Sequence, residues 1–214
     1  MRTIGIIPLR AGSKRIPDKN TKDMAGKPLY RWVLDAAVKC DLLNDVVVAT
    51  DIPDFPDGEG YTVFYRSAES ASDTAQTEVV IDDVLEEYDN DYNMAVLLQA
   101  TNPFIQPHDI GMAIHLCYTN FDSVLSCTVV NDAFYWTKFG EPINYEVNKR
   151  PLGGPNEPIM RENGAIYVST CMKPYRRLHG RTGMYIMPHY TSRELDELED
   201  WPIVEELMRK HRCK

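Results

Sequence analysis

Apolar positions along this chain change their spacing several times, and each change marks an element. "TIGIIPL" is a continuous apolar run of strand length, as expected of a strand buried on both faces. "PLYRWVLDAAVKC" follows with apolar residues at helical spacing and a proline suited to the first helical position. "DVVVAT" and the short "TVFY" read as strands, and "TEVVIDDVLEEY" as a helix with Thr77 placed to cap it. "NMAVLLQ" is a strand, "PHDIGMAIHLCYTN" a helix and "DSVLSCTVV" a strand. This alternation predicts an α/β fold, a mainly parallel sheet with helices on both faces.

The pattern loosens after Val130. "NDAFYWTKFGEPINYEVNKRPLGGPNEPIM" is rich in aromatics, Pro, Gly and Asn and has no helical period. It reads as an extended hairpin arm, a flap over a site, or an oligomer contact. "GAIYVST" and "GMYIMP" return to strand patterns, and "DWPIVEELMRKH" closes as a helix. With no internal repeat, low-complexity tract or linker, residues 1–214 are expected to form one domain, with 131–160 as an irregular arm or flap.

Composition narrows the function classes. Of 214 residues, 43% are hydrophobic and 26% charged, the balance of a soluble protein, and the formal net charge is −9. Such acidity argues against a nucleic-acid surface, which clusters excess Lys and Arg. No apolar run approaches the ~20 residues that cross a bilayer, so no membrane partner is expected. "MRTIGIIPLRAG" lacks the long apolar region of a secretory signal. Cys40, Cys117, Cys127, Cys171 and Cys213 contain no C-x-x-C pair. The expected compartment is therefore the reducing cytoplasm.

Against that acidic background, "RAGSKRIPDKN" concentrates Arg10, Lys14, Arg15 and Lys19 where the first strand ends. Open α/β sheets bind ligands beyond the carboxyl ends of their strands. Gly12 would let backbone amides approach an anion such as a nucleotide triphosphate. A solvated basic turn is the alternative reading. The loop is neither G-x-x-x-x-G-K-[ST] nor G-x-G-x-x-G. Glu194 and Asp196 lie two apart, so an extended strand would turn both carboxylates to one face.

The pattern I-P-x-R-x-G-S-K-x-I-P-x-K-N resembles the opening motif of the CMP-sialic acid synthetases (acylneuraminate cytidylyltransferases). "RSAESASDTAQTEVVIDDVLEE", "LLQATNPF", "RENGAIYV" and "YIMPHYTSRELDELED" resemble later family segments, in order, over nearly the whole chain. The resemblance implies a three-layer, Rossmann-like fold of the nucleotide-diphospho-sugar transferase type. It also implies transfer of CMP from CTP to the anomeric hydroxyl of a nonulosonic acid. By resemblance, Arg10, Ser13, Lys14 and Lys19 serve the triphosphate, while Asn20, Arg66 and Thr77 read cytosine. Arg10, Lys14, Lys19 and Asp196 are the implied catalytic residues. Gln99 and Arg161 fall at positions that contact the sugar acid. Glu194 and Asp196 would hold Mg²⁺ or Mn²⁺, and a homodimer is implied, with the irregular segment reaching into the neighbouring subunit.

Three positions depart from the family pattern. Arg15 stands where glycine is usual, Glu194 where Asp is usual, and Glu197 where Thr is usual. The related Kdo synthetases carry Q-G-D-E-P where this chain has "QATNP", which favours the sialic acid branch. No histidine base and no activated cysteine is expected.

Overall fold

The computed structural model describes residues 1–67, 70, 76–89, 91–131, 133–152, 154, 155, 157–193 and 195–212. In chain order its elements are β1 (Thr3–Leu9), β2 (Asp23–Met24), β3 (Lys27–Pro28), α1 (Leu29–Val38), β4 (Asp45–Thr50) and β5 (Thr62–Tyr65). There follow α2 (Thr77–Glu87), β6 (Met94–Leu98), α3 (Pro107–Asn120), β7 (Ser123–Val130), β8 (Ile159–Thr170), β9 (Thr182–Ile186) and α4 (Asp200–Arg212).

Seven strands form one sheet in the order β5-β4-β1-β6-β8-β7-β9. The pairs β1–β4, β1–β6, β4–β5 and β7–β9 are parallel, as the alternation of elements predicts. β8 runs antiparallel to both β6 and β7, so the sheet is mixed. That reversal sets the beginning of β8 beside the carboxyl ends of its neighbours, because Leu98 at the end of β6 pairs with Ile166. Residues 161–163 therefore reach past that end.

β1 has the buried two-sided character its apolar run predicts. Ile7 and Leu9 join α1 and α3 on one face, packed with Val33, Leu34, Ile110 and Ile114. Ile4 and Ile6 join α2 on the other, packed with Val80, Ile81 and Val84. A third apolar cluster lies away from the sheet and contains Ile16, Met24, Leu29, Leu195, Trp201 and Val204. It seats α4 against the basic loop. Trp201, Val204 and Met208 supply the buried stripe at helical spacing.

Local details correct three expectations by small shifts. Pro28 caps α1 from outside, one position before the first helical residue. Gln76, in an extended conformation, occupies the N-cap position of α2, so Thr77 is its first helical residue and makes no cap. The segment from Leu195 to Glu199 contains no strand among the described residues. Instead, the Asp200 carboxylate accepts the backbone N–H groups of Asp196 at 3.1 Å and Glu197 at 2.9 Å, turning the chain into α4. Glu194 lies outside the described residues.

The irregular segment contains a tight turn in which Ile143 N–H donates to the Tyr135 carbonyl and Gly140 N–H to that of Thr137. An isolated antiparallel bridge joins Trp136 and Pro142. No described helix is long and apolar enough to cross a membrane.

Leu195 is fully buried, whereas Leu198, three residues on, is 51% exposed. Leu195→Ala is expected to cost about 2–5 kcal/mol, and Leu198→Ala to stay within about 0.5 kcal/mol, measured by urea unfolding. Equal effects would mean that the third cluster does not anchor the acidic segment.

Candidate active site

Parallel strands β5, β4, β1 and β6 end side by side, and the residues that leave them make the site. Arg10 and Ala11 follow β1, Asp51 follows β4, Arg66 follows β5 and Gln99 follows β6. The loop after β1 turns sharply at Gly12, whose φ of +66° is left-handed. It closes on itself where the Asn20 side-chain amide donates to the Arg10 carbonyl at 3.0 Å. Asp51 accepts the Ala11 N–H at 2.8 Å, tying the loop to the end of β4. Arg66 N–H donates to the Thr50 carbonyl at 2.9 Å and fixes the exit of β5 in the same way.

A cavity of about 270 Å³ opens there, lined by Arg10, Asn20, Arg66, Thr77 and Gln99, with Pro8 and Val80 as apolar wall. These five polar residues are scattered from position 10 to 99, and each is among those singled out in the sequence. Burial pushes the Arg66 guanidinium below its ordinary pKa, an effect that Asp51 and Asp83 oppose and Arg10 reinforces. Arg66 Nε and Asp83 Oδ2 are buried with no hydrogen-bond partner among the described residues. A buried donor of this kind is poised for a ligand acceptor or a water.

Ser13, Lys14 and Lys19 are not in the lining of that cavity. Ser13 and Lys14 lie on the loop above it, and Lys14 is exposed. Lys19 Nζ donates to the Leu195 carbonyl and lies 3.9 Å from Asp196 Oδ1. Arg15 Nη2 approaches that same oxygen at 3.7 Å, while its Nη1 donates to Glu197 Oε1 at 2.9 Å. The basic loop and the acidic segment thus face each other across the mouth of the site.

Arg161 stands apart from Gln99. It lines a second cavity, about 410 Å³, with Asn163, His189, Ser192, Arg193 and Asp200. A more open hollow of about 850 Å³ adjoins both, sharing Thr77 with the first cavity and Glu162 with the second.

The N-G pair of "RENGAIYV" has a structural explanation. Pairing with β7 slips between Leu125 and Cys127, so β8 bulges at residues 163–166. Gly164 takes the left-handed φ of +65° that the bulge requires. Asn163, 2% exposed, accepts from Ser126 Oγ at 2.6 Å and donates to Ser192 Oγ at 3.0 Å. Ser192 precedes the acidic segment, which is therefore tied to the bulge.

The chemistry of the donor set limits what ion could sit here. Asp196 is a half-exposed carboxylate between two cations, and no three His, Cys, Asp or Glu side chains converge among the described residues. That set fits a divalent ion taking most of its ligands from phosphate and water, in the manner of Mg²⁺, and does not fit an ion caged by protein. Burial pushes the Cys117 thiol up to about 11 and that of Cys171 to about 12, so neither is a thiolate at neutral pH. Cys213 lies outside the described residues.

Sequence reasoning assigned no role to Asp51, His189 or Arg193. Asp51 was within its reach, since it directly follows a strand that ends in the crevice. His189 precedes the acidic segment but carried no assignment, and Arg193 gave no such signal, because the cavity they line is formed by residues 161–163 and 200–204, which are distant from one another in sequence.

Comparison with known proteins bears on this geometry. Residues 4–203 match the family model described as Cytidylyltransferase. The chain is 31% identical to the CMP-N,N'-diacetyllegionaminic acid synthase of Legionella pneumophila, over 97% of each chain. It is 32% identical to N-acylneuraminate cytidylyltransferase B of Danio rerio, covering 94% of this chain and 50% of that one. The chain thus spans about half the length of that relative. A structure of CMP:2-keto-3-deoxy-manno-octonic acid synthetase complexed with CTP superposes with a TM-score of 0.75 at 19% identity, over 99% of this chain and all of the other. That likeness shows the same nucleotidyltransferase-like α/β fold. A match over most of its length, together with near end-to-end identity above 30%, places this chain in the cytidylyltransferase family, on the CMP-sialic acid synthetase branch whose motifs it carries.

Proposed function

We propose that the protein transfers CMP from CTP to the anomeric hydroxyl of a sialic acid-like nonulosonic acid, releasing pyrophosphate. One observation carries this reading. Arg10, Asn20, Arg66, Thr77 and Gln99 converge on one cavity at the carboxyl ends of the parallel strands. Relatives above 30% identity act in this class by name, one on diacetyllegionaminic acid and one on N-acylneuraminate.

In the reaction, the acceptor oxygen forms a bond to the α-phosphorus, and the bond from that phosphorus to the bridging oxygen breaks. Pyrophosphate leaves with the electron pair, and the hydroxyl proton passes to solvent. Positioning and charge neutralisation are the main resources for such a transfer. Arg10, Ser13, Lys14 and Lys19 hold the phosphates and offset the charge that gathers on the leaving group. Cytosine presents acceptors and an exocyclic amine, which Asn20, Arg66 and Thr77 complement as donors and acceptors. Arg66 has a buried Nε to give. Gln99 orients the acid from the nucleotide side, and Arg161 offers its carboxylate a two-point fork from the second cavity. A divalent cation such as Mg²⁺ or Mn²⁺, held by Asp196 with Glu194, would draw charge from the phosphoryl oxygens and acidify the acceptor hydroxyl.

The same reading includes a homodimer in the cytoplasm. In support, Trp136, Phe139, Ile143, Val147 and Leu152 of the irregular segment are exposed, as are Met184 and Ile186 on edge strand β9. Exposed apolar side chains of this kind support the reading of an interface. The described cysteines are free thiols.

Pyrophosphate release with CTP, Mg²⁺ and a panel of nonulosonic acids tests the reaction. Turnover is expected with at least one nonulosonic acid. Turnover with Kdo alone would move the substrate class, and CTP binding without turnover would make the protein a nucleotide-binding module. Arg66→Met keeps the aliphatic bulk, so the melting temperature should hold while CTP binding weakens about tenfold or more. Lost stability with unchanged affinity would assign Arg66 to the fold alone. Lys14→Ala should impair triphosphate use far more than folding. Asp196→Asn should raise the Mg²⁺ requirement or abolish turnover, and an unchanged metal dependence would remove Asp196 from the site.

A further inference from the structure

Helix α2 carries acidic residues at three positions four apart, Glu78, Asp82 and Glu86, which the helical turn stacks on one face. The segment after β8 meets each of them in reverse order. Lys173 Nζ lies 2.9 Å from Glu86 Oε1, Tyr175 N–H donates to Asp82 Oδ1 at 2.8 Å, and Arg177 Nε lies 3.1 Å from Glu78 Oε1. The Lys173 and Glu86 side chains are 57% and 58% exposed, so water screens that pair and it contributes little. Arg177 and Glu78 are only 25% and 29% exposed, and their attraction is screened far less.

Arg177 is held from both sides. Its guanidinium carbon lies 4.8 Å over the Tyr167 ring of β8, and its Nη2 donates to Glu78 Oε2 at 3.5 Å. Ser169 Oγ donates to the Arg176 carbonyl at 2.9 Å and ties this backbone to β8. Beyond Arg177 the Tyr167 hydroxyl donates to Glu162. A line of contacts therefore runs from Glu162, at the second cavity, through Tyr167 and Arg177 to Glu78. Its end adjoins Thr77, which lines the first cavity. The first turn of α2 lacks the usual brace, because Gln76 at its N-cap makes no side-chain cap hydrogen bond among the described residues.

We propose that Arg177 is a positioning residue of the nucleotide site: with Glu78 it braces the first turn of α2 against β8 and so holds Thr77 against the base. This rests on the reading above in which Thr77 contacts cytosine. A hydroxyl that reads a base has to be held closely in place, and a small displacement loses that contact while the phosphates stay bound. Arg177 acts through Glu78 and Thr77. The Lys173–Glu86 pair lies about two turns further along the helix and lines neither substrate cavity.

Calorimetric titration with CTP and UTP in EDTA tests this without metal or turnover. The two nucleotides share ribose and triphosphate, and their bases reverse donor and acceptor along one edge. Wild type is expected to prefer CTP. Arg177→Met, which retains the side-chain stem, should narrow that preference about tenfold. Glu78→Gln should do the same, and it carries the test should the Arg177 variant melt early. Thr77→Ala should narrow the preference alike, and adding Arg177→Met to it should change the preference by no more than about twofold, since both act on one contact. Lys173→Met should stay within about twofold of wild type. Unchanged preference in both Arg177→Met and Glu78→Gln, where Thr77→Ala narrows it, overturns the proposal and leaves the reading of the base standing. Additive losses in the double variant overturn it too, as does an equal loss in Lys173→Met. A wild type that binds CTP no better than UTP, or a Thr77→Ala variant without effect, overturns it together with the role of Thr77. Base preference as expected but no pyrophosphate released with any acid counts against the catalytic reading and leaves the Arg177 result in place.

Discussion

Burial of Leu195 beside Ile16 and Trp201 is the constraint on which the site depends. Ile16 and Leu195 come from opposite ends of the chain, one in the basic loop and one in the acidic segment. Their shared apolar pocket sets Lys19 and Arg15 within 4 Å of Asp196. Electrostatic attraction alone would not hold that arrangement, because the Arg15 and Asp196 side chains are half in water and their pairing is weak. Apolar burial supplies the fixed distance, and the charges use it.

A second constraint comes from the reversal of β8. In an all-parallel sheet its beginning would lie at the far rim, and Arg161 would be remote from the nucleotide side. Running antiparallel, β8 brings residues 161–163 to the carboxyl ends of β6, β7 and β9. The Asn163–Gly164 bulge then breaks the pairing where the site begins. Asn163 satisfies its amide on Ser126 and Ser192, so the bulge costs no unmet hydrogen bond there. One network thus ties strand β8 to the approach of the acidic segment.

Crowding of cations is the price of the first cavity. Arg10 and Arg66 leave strands on either side of β4, and Arg10 disfavours the charge on Arg66. Asp51 leaves β4 between them and holds the Ala11 N–H as well, which combines charge balance with loop anchoring. Arg66 stays only partly compensated, with a buried donor unmet among the described residues. Under the proposed function, an anionic ligand would supply the acceptor that this donor lacks among the described residues.

Much of this was legible in the sequence, and the reasons are local. The run "TIGIIPL" read as a buried strand, which it is, and strands alternating with helices implied a layered sheet whose carboxyl rim binds ligands. Motif order identified Arg10, Asn20, Arg66, Thr77 and Gln99, which one cavity gathers. Other matters depended on parts of the chain far apart in sequence. The antiparallel course of β8 follows from its partners β6 and β7. The acidic segment became a turn because Asp200 reaches back to the N–H groups of Asp196 and Glu197. Arg161 and Gln99 fell into separate cavities, and Arg15 found Glu197 across 182 positions of chain. Periodicity and composition report what a segment buries and how it bends. Which distant segment it meets is decided by the closing of the core, and only the tertiary structure could show that.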